Sequence, residues 1–146
     1  MRSFFFVLLI VFAFGCGNSS GKKSGEVSLT QEESFLNFRK KFLRDSVYQL
    51  EHITFPLSGQ PDKAHVGDTL PNGDFVWTKE NWDIHRELDP ARSGFQVKYT
   101  WLTDNLVEEL LINEQVGLGM MRRFSRIDED EWELIYYVGM SSIRQQ

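Results

Sequence analysis

The strongest constraint on the fold is a change in the spacing of apolar residues along the chain. Between residues 31 and 44 they recur every three or four positions, so Phe35, Phe38 and Phe42 fall on one face of a helix. In residues 95–101 the apolar residues alternate with polar ones, which indicates a half-buried strand. A chain that passes from the first spacing to the second is predicted to fold as an α+β protein, with an N-terminal helix packed on a sheet.

The N-terminal helix is predicted to span residues 31–44. Thr30 and Glu33 have the spacing of a capping box, in which each side chain accepts a hydrogen bond from the other residue's backbone. The pair at 45–46 breaks the helix, and residues 47–50 are predicted to form a short second helical turn.

Most of the remaining chain has strand and turn signals. Residues 106–112 fit a helix or a strand, and the flanking strands favour a strand. Pro56 indicates a sheet edge or a strand end, and Thr78 is predicted to cap a short helix that reaches Trp82. The other predicted elements are a strand at 52–57, a loop at 58–74 with a small extended piece at 64–66, a short strand at 75–77, a strand at 95–101, a turn at 103–105, and a hairpin of 118–127 with 132–138. Together the strands are predicted to form a curved, mostly antiparallel sheet.

The hairpin at the C-terminal end suggests a register. Simple alternation places Ile127, Ser125 and Arg123 opposite Trp132, Leu134 and Tyr136, with Arg126 beside Glu133. It also places Ile135 and Tyr137 on the face opposite Trp132. An apolar pair on that second face implies cover by a helix or a partner, including a second copy of the chain as a homodimer.

The first sixteen residues have the pattern of an export signal. Residues 4–14 are apolar, and Ala13 and Gly15 are small residues just before Cys16, the single cysteine of the chain. The apolar run is shorter than the roughly 18 residues of a membrane-spanning helix. Residues 1–15 are therefore predicted to be a signal peptide and Cys16 a lipidated residue, although Phe14 departs from the usual lipoprotein pattern.

The composition sets the domain organisation. Residues 16–29 are predicted to be a lipidated cysteine and a flexible tether, because the stretch from 17 to 25 is rich in Gly, Ser and Lys and holds no apolar residue. Residues 30–146 form one globular domain by length. The net charge of −5 argues against nucleic acid as a partner, since phosphates need clustered Lys and Arg.

Several segments of the predicted domain resemble those of a family of uncharacterised lipoproteins of Bacteroides-type bacteria, the domain of unknown function 4348. The resemblance is carried by residues 35–38, Phe42, the 45–46 break, Gln49, the strand 53–57 and residues 132–134. It covers Thr30 to about Ser142 and implies an NTF2-like or cystatin-like roll. It implies no activity, no catalytic residues and no cofactor.

Four features of the sequence could carry chemistry, and each also has an ordinary structural explanation. Asp83 and His85 have the spacing of a carboxylate that orients an imidazole, but with no accompanying nucleophile we expect a solvated surface pair. His52 and His65 have no ligand spacing, so no metal site is predicted. Residues 117–119 are expected to be a bend or a bulge and residues 128–131 a solvated hairpin tip rather than a Ca²⁺ loop.

The aromatic residues carry the main functional hypothesis. Most of them are expected to fill the core, but some could line the mouth of the roll and stack on a ligand. The candidate pocket residues are His52, Tyr99, Trp101 and Trp132.

Two functions of different class remain open at this point. The first is a non-enzymatic ligand-binding or protein-interaction module, lipid-anchored to a membrane of the bacterial cell envelope on its periplasmic side or at the cell surface. The second is a small NTF2-like enzyme of isomerase or hydrolase type, which rests on fold analogy. A buried His, Asp or Glu that faces a closed pocket would favour the enzyme.

Overall fold

The computed structural model describes residues 30–143. Their helices and strands are, in chain order, α1 (Gln31–Phe42), α2 (Ser46–Glu51), β1 (Ile53–Gln60), β2 (Val76–Trp77), α3 (Pro90–Ser93), β3 (Gln96–Thr103), β4 (Leu106–Asn113), β5 (Leu118–Arg126) and β6 (Trp132–Ser142). The predicted signal peptide, Cys16 and the tether lie outside the described residues, so these predictions stay predictions.

The strands form one curved sheet in the order β2-β1-β6-β5-β4-β3. β1 runs parallel to β6, and the other neighbouring pairs are antiparallel. The α+β class and the mostly antiparallel sheet predicted from the sequence are confirmed.

Helix α1 begins with the predicted capping box. The Glu33 carboxylate accepts from the Thr30 backbone N–H at 2.9 Å, and the Thr30 hydroxyl accepts from the Glu33 N–H at 3.3 Å. The three phenylalanines of the predicted apolar face are buried. The helix ends at Phe42 because Leu43 is the C-cap, so it is slightly shorter than predicted.

Aromatic rings hold α1 on one face of the sheet, which we call the inner face. Phe35 lies 5.4 Å from Phe124 of β5 and 5.3 Å from Trp132 of β6, measured between ring centroids. Phe42 meets Phe124 edge-on at 5.5 Å. Such edge-to-face pairs add to the free energy of burying the rings, so this cluster forms the centre of the core.

Pro56 lies inside β1 rather than at an edge of the sheet. β1 has β6 on one side and the two residues of β2 on the other, where Leu57 pairs with Trp77. The β1–β6 register shifts between Ile53 and Ser58, around the proline. Pro has no N–H to donate, and the irregular pairing accommodates it.

Residues 106–112, for which helix and strand were both considered, form strand β4 and pair along their full length with β3 and β5. The short helix predicted from Thr78 to Trp82 is wrong. The Thr78 backbone N–H donates to the Asn81 side chain at 2.6 Å, and residues 79–81 form a turn instead. An Asn side chain offers the backbone this alternative to a helix.

The pairing of β5 with β6 corrects the predicted hairpin register. The observed pairs are Arg126 with Trp132, Ser125 with Glu133, Phe124 with Leu134 and Arg123 with Tyr136. Only the last of these pairs was predicted. The register shifts between Arg123 and Phe124, which is the signature of a β-bulge on β6.

The bulge also changes the face on which Tyr137 lies. Simple alternation places Tyr137 on the outer face beside Ile135, but the extra residue returns it to the inner face, where it is 5% exposed. The prediction that Tyr137 and Ile135 form an outer apolar pair is therefore wrong. Leu134 and Tyr137 instead contribute to the same core.

Two further turns have the conformation that was predicted from the sequence. Gly117 adopts a positive φ of 64°, as expected of a bend, and residues 128–131 are exposed at the hairpin tip. Within residues 30–143, no helix combines the length and the apolar composition that a membrane span requires.

Candidate functional site

A line of polar side chains crosses the inner face of the sheet, beneath α1 and the segment that follows β2. Strand register aligns Tyr99, Glu109, Arg122 and Tyr137 on β3, β4, β5 and β6. We call these four residues the inner polar row. The neighbouring line on the same face is entirely apolar and consists of Trp101, Val107, Phe124, Leu134 and Ile53.

Two arginines share one buried carboxylate in the inner polar row. Glu109 is completely buried, and one of its oxygens accepts from Arg39 Nε of α1. Its other oxygen forms an ion pair with Arg122 Nε at 2.7 Å, but the two atoms do not make a hydrogen bond. Arg39 also donates to Glu87 at 2.8 Å, and Glu87 is half exposed. The ion pairs therefore connect α1, the sheet and the loop before α3.

The charges around Arg39 fix its protonation. Burial alone lowers the pKa of Arg39, but the attraction of Glu109 and the hydrogen bonds to Glu87 and Glu109 outweigh this effect and raise it. Breaking a buried ion pair by removing one partner leaves an uncompensated charge in a medium that cannot solvate it. The inner polar row is consequently sensitive to the loss of Glu109.

His85 lies over the inner polar row and is not a solvated surface residue. Its ring centroid is 4.5 Å from Trp82 and 4.8 Å from Tyr137. Its Nδ1 lies 3.3 Å from Arg122 Nη1, and because arginine only donates, Nδ1 must be the acceptor. The predicted surface pair with Asp83 is therefore wrong, since burial among aromatic rings separates His85 from the exposed Asp83.

The environment of His85 favours the neutral imidazole. Burial first, and the nearby Arg122 charge second, hold the pKa of His85 well below its usual 6.5. Burial likewise raises the pKa of Tyr137 to about 12 and the pKa of Tyr99 above its ordinary value. Both tyrosines thus stay protonated at neutral pH.

Gln49 of α2 holds the segment that carries His85. Its amide oxygen accepts from the His85 N–H at 2.8 Å and from Trp82 Nε1 at 3.1 Å. Its amide nitrogen donates to the carbonyls of Phe42 and His85. A fully buried glutamine whose amide makes four hydrogen bonds fixes His85 above Arg122.

Three of the four predicted pocket residues come together around Phe35. The Phe35 ring meets Tyr99 and Trp101 edge-on, each at 5.7 Å, and it meets Trp132 at 5.3 Å. Trp132 is completely buried and donates to Ser34 Oγ at 3.2 Å, so it belongs to the core. Tyr99 is 37% exposed and Trp101 is half-buried.

The fourth predicted pocket residue, His52, makes contacts of a different kind. Its ring stacks on Tyr48 at 3.7 Å, and Nε2 lies 3.0 Å from the exposed Glu131 carboxylate. Its contacts join the end of α2 to the β5–β6 hairpin tip.

An open groove of about 610 Å³ lies beside Trp101 at the start of α1. Its lining comprises Thr30, Gln31, Glu32, Trp101, Leu102, Thr103 and Asp104. The capping box already occupies two donors of the first turn, and the acidic lining disfavours an anion. The groove is thus a shallow surface feature beside the predicted pocket residues.

No cluster of three or more His, Cys, Asp or Glu side chains among residues 30–143 has the geometry to hold a metal ion. His65 forms a pair with Asp62, whose carboxylate lies 2.7 Å from His65 Nδ1 and raises the pKa of that histidine.

The inner polar row was missed at the sequence level, although the chain carries a signal for it. Glu108-Glu109 and Arg122-Arg123 are charged doublets in neighbouring strands, and the register pairs them residue by residue. Because side chains alternate, one pair faces outward and the other must face the core. Arg123 Nε donates to Glu108 at 2.9 Å on the outer face, so the inward pair is Glu109 with Arg122.

No protein-family model matches the chain. No curated protein matches it. Among solved structures it is similar to a cystatin-like protein from Bacteroides caccae, with 18% identity over 71% of this chain and 74% of that one and a TM-score of 0.49. It is also similar to an NTF2-like protein from Bacteroides fragilis, with 18% identity over 75% of this chain and a TM-score of 0.46; it spans 47% of that protein.

We predict that Glu109→Gln destabilises the protein by about 3–5 kcal/mol, because it leaves the buried guanidinium of Arg122 without a carboxylate. The matched control is Glu108→Gln on the outer face, where the partly exposed pair with Arg123 contributes less than about 1 kcal/mol. Urea unfolding at neutral pH measures both changes. Equal losses in the two variants would contradict the burial argument.

Stability is predicted to fall as the pH drops below about 6.5, the ordinary histidine pKa, because the unfolded chain protonates His85 while the folded chain does not. His85→Gln should remove this component, which is at most about 1.4 kcal/mol per pH unit. His65→Gln should act with the opposite sign. The raised pKa of His65 gives stability that is present in acid and is lost as the pH rises. Thermal unfolding of each variant between pH 5 and 8 distinguishes the two histidines.

Proposed function

We propose that the protein is a lipid-tethered, non-enzymatic binding module of the bacterial cell envelope. In this proposal the globular domain is an NTF2-like or cystatin-like roll of the lipoprotein family that the sequence resembles. The signal pattern of residues 1–15, the single Cys16 and the polar stretch after it support the tether. The anchor would hold the domain at a membrane, on the periplasmic side or at the cell surface.

The observation that carries the binding role is an apolar row on the outer face of the sheet. Strand register aligns Leu110, Met121 and Val138 on β4, β5 and β6. All three are half-buried and lie outside the hydrophobic core cluster, while α1 packs on the opposite face through Phe35. An apolar row on a face that α1 leaves open is a surface suited to a protein partner.

The partner we assign to the outer row is a second copy of the chain. A central row on a sheet can meet its own image across a two-fold axis, so the same three side chains serve both subunits. A homodimer of this kind would leave the inner polar row and its covering segment free in each subunit.

The inner face also favours binding over catalysis. One Glu109 oxygen accepts from Arg39 and the other lies beside Arg122, while His85 Nδ1 accepts from Arg122. A general base needs a lone pair that is directed at the substrate, and these lone pairs are directed at guanidinium groups.

The second candidate is a small enzyme of isomerase or hydrolase type with its pocket inside the roll. One observation favours it: a neutral, half-buried His85 and the protonated Tyr137 meet above Arg122. Shifted pKa values of this kind are frequent at catalytic sites, and buried ion-pair networks produce them as well.

The tether is tested by growth of a bacterial host with radiolabelled palmitate. We expect the wild-type protein to incorporate the fatty acid and Cys16→Ser to lose the label, because the thiol of Cys16 is the predicted attachment atom. Equal labelling of the two proteins would contradict the lipid anchor.

The outer contact surface is tested by Met121→Glu, which places a charge in the middle of the apolar row. Analytical ultracentrifugation should find a dimer for the wild type and a monomer for Met121→Glu. Val116→Glu is the matched control, because Val116 is 61% exposed in the β4–β5 turn, away from the row. A monomeric wild type, or a variant that still dimerises, would rule out this surface.

A further inference from the structure

Two nitrogens of the buried Arg122 guanidinium, Nε and Nη2, make no hydrogen bond within the described residues, and of these Nε has the Glu109 carboxylate beside it. Arg122 is 1% exposed, yet its Nη2 has no hydrogen-bond partner among the described residues. Its Nε faces Glu109, and Nη1 faces the neutral His85 at 3.3 Å, a long contact to a weak acceptor. A buried charged donor without an acceptor is costly, so this position calls for an oxygen that the protein does not supply.

Arg122 has one carboxylate beside it, and that carboxylate is shared. The buried Glu109 also accepts from Arg39, whose second partner, Glu87, lies at the surface. On the other side Arg122 faces His85 and Tyr137, both uncharged at neutral pH. These two neighbours therefore offer the guanidinium no charged acceptor, and the carboxylates of Asp62 and Asp83 act on Tyr137, whose pKa they help to raise.

The cover over this nitrogen is an irregular segment. Residues 78–89 contain no helix or strand, and they place His85 and Trp82 over the sheet. The hydrogen bonds of Gln49, the Arg39–Glu87 pair and the packing of Trp82 in the core hold this segment. A segment without the backbone hydrogen bonds of a helix or sheet opens at a lower free energy than the strands beneath it.

We propose that Arg122 binds the carboxylate of a small organic acid on the inner face, beneath residues 78–89. The planar fork of Nη1 and Nη2 matches the two oxygens of a carboxylate, which would displace the weaker acceptor His85 Nδ1. The apolar part of the acid would lie toward Met120 and Leu111, the buried residues next along β5 and β4 on this face. The site deepens the proposed binding function but lies on the face opposite the outer contact surface, so either can fail without the other.

The test is a titration of the whole chain in detergent with benzoate, followed by calorimetry and by tryptophan fluorescence, to which Trp82 contributes. Saturable binding of benzoate is expected, with none of the uncharged benzamide. Arg122→Gln should weaken the affinity by at least about tenfold, the effect of losing a charge-assisted bidentate pair. Arg123→Gln is the matched control, since it removes the adjacent guanidinium from the outer face and should bind as the wild type does.

A second measurement covers the case in which Arg122→Gln does not fold, as judged by circular dichroism. In wild-type protein labelled with ¹⁵N-arginine, benzoate should shift the Nε resonance of a buried arginine that exchanges slowly with solvent. Absence of that shift, equal binding by Arg122→Gln, binding of benzamide, or preference for inorganic phosphate over benzoate would each overturn the proposal. The dimerisation of the wild type does not enter this test.

Discussion

The arrangement of the domain depends on the two ion pairs that the buried carboxylate of Glu109 makes. This carboxylate joins Arg39 of α1 to Arg122 at the middle of the sheet, and Arg39 lies on the same helical face as the three buried phenylalanines. Aromatic packing tolerates small shifts of a helix along a sheet, because the burial of apolar surface is not directional. A buried ion pair with fixed geometry does not tolerate such shifts, so it sets the position of α1 while the rings provide most of the stabilisation.

The elements that follow from local pattern could be predicted from the sequence. The capping box of Thr30 and Glu33, the apolar face of α1 and the alternation that became β3 depend on neighbours a few positions apart, and each was found where it was expected. Tyr137 could not be assigned to its face in the same way. Its position depends on a bulge that forms where β6 meets both β1 and β5. Strict alternation assumes that every residue of the strand is paired, so it misplaces the residues that follow a bulge.

The sequence analysis named aromatic residues that lie together in the structure, and their role as a ligand pocket stays a prediction. Tyr99, Trp101 and Trp132 converge at Phe35 because alternation had placed them inside, whereas the environment of His85 depends on contacts with α2, β5 and β6. No short-range pattern reports such contacts. The charged doublets of β4 and β5 did hold the needed information, since two adjacent charges on a strand cannot both face solvent when one face is covered.

One row of side chains on each face of the sheet departs from the usual distribution of polar and apolar residues. Leu110 and Met121 lie on the outer face, while their neighbours in sequence, Glu109 and Arg122, are buried. Replacing a buried ion pair with apolar residues of similar volume is often neutral or stabilising, so stability alone does not account for Glu109 and Arg122. Local departures from folding rules concentrate where a protein binds something. The outer apolar row would be explained by contact with a partner. The buried guanidinium of Arg122 would be explained by binding of a carboxylate.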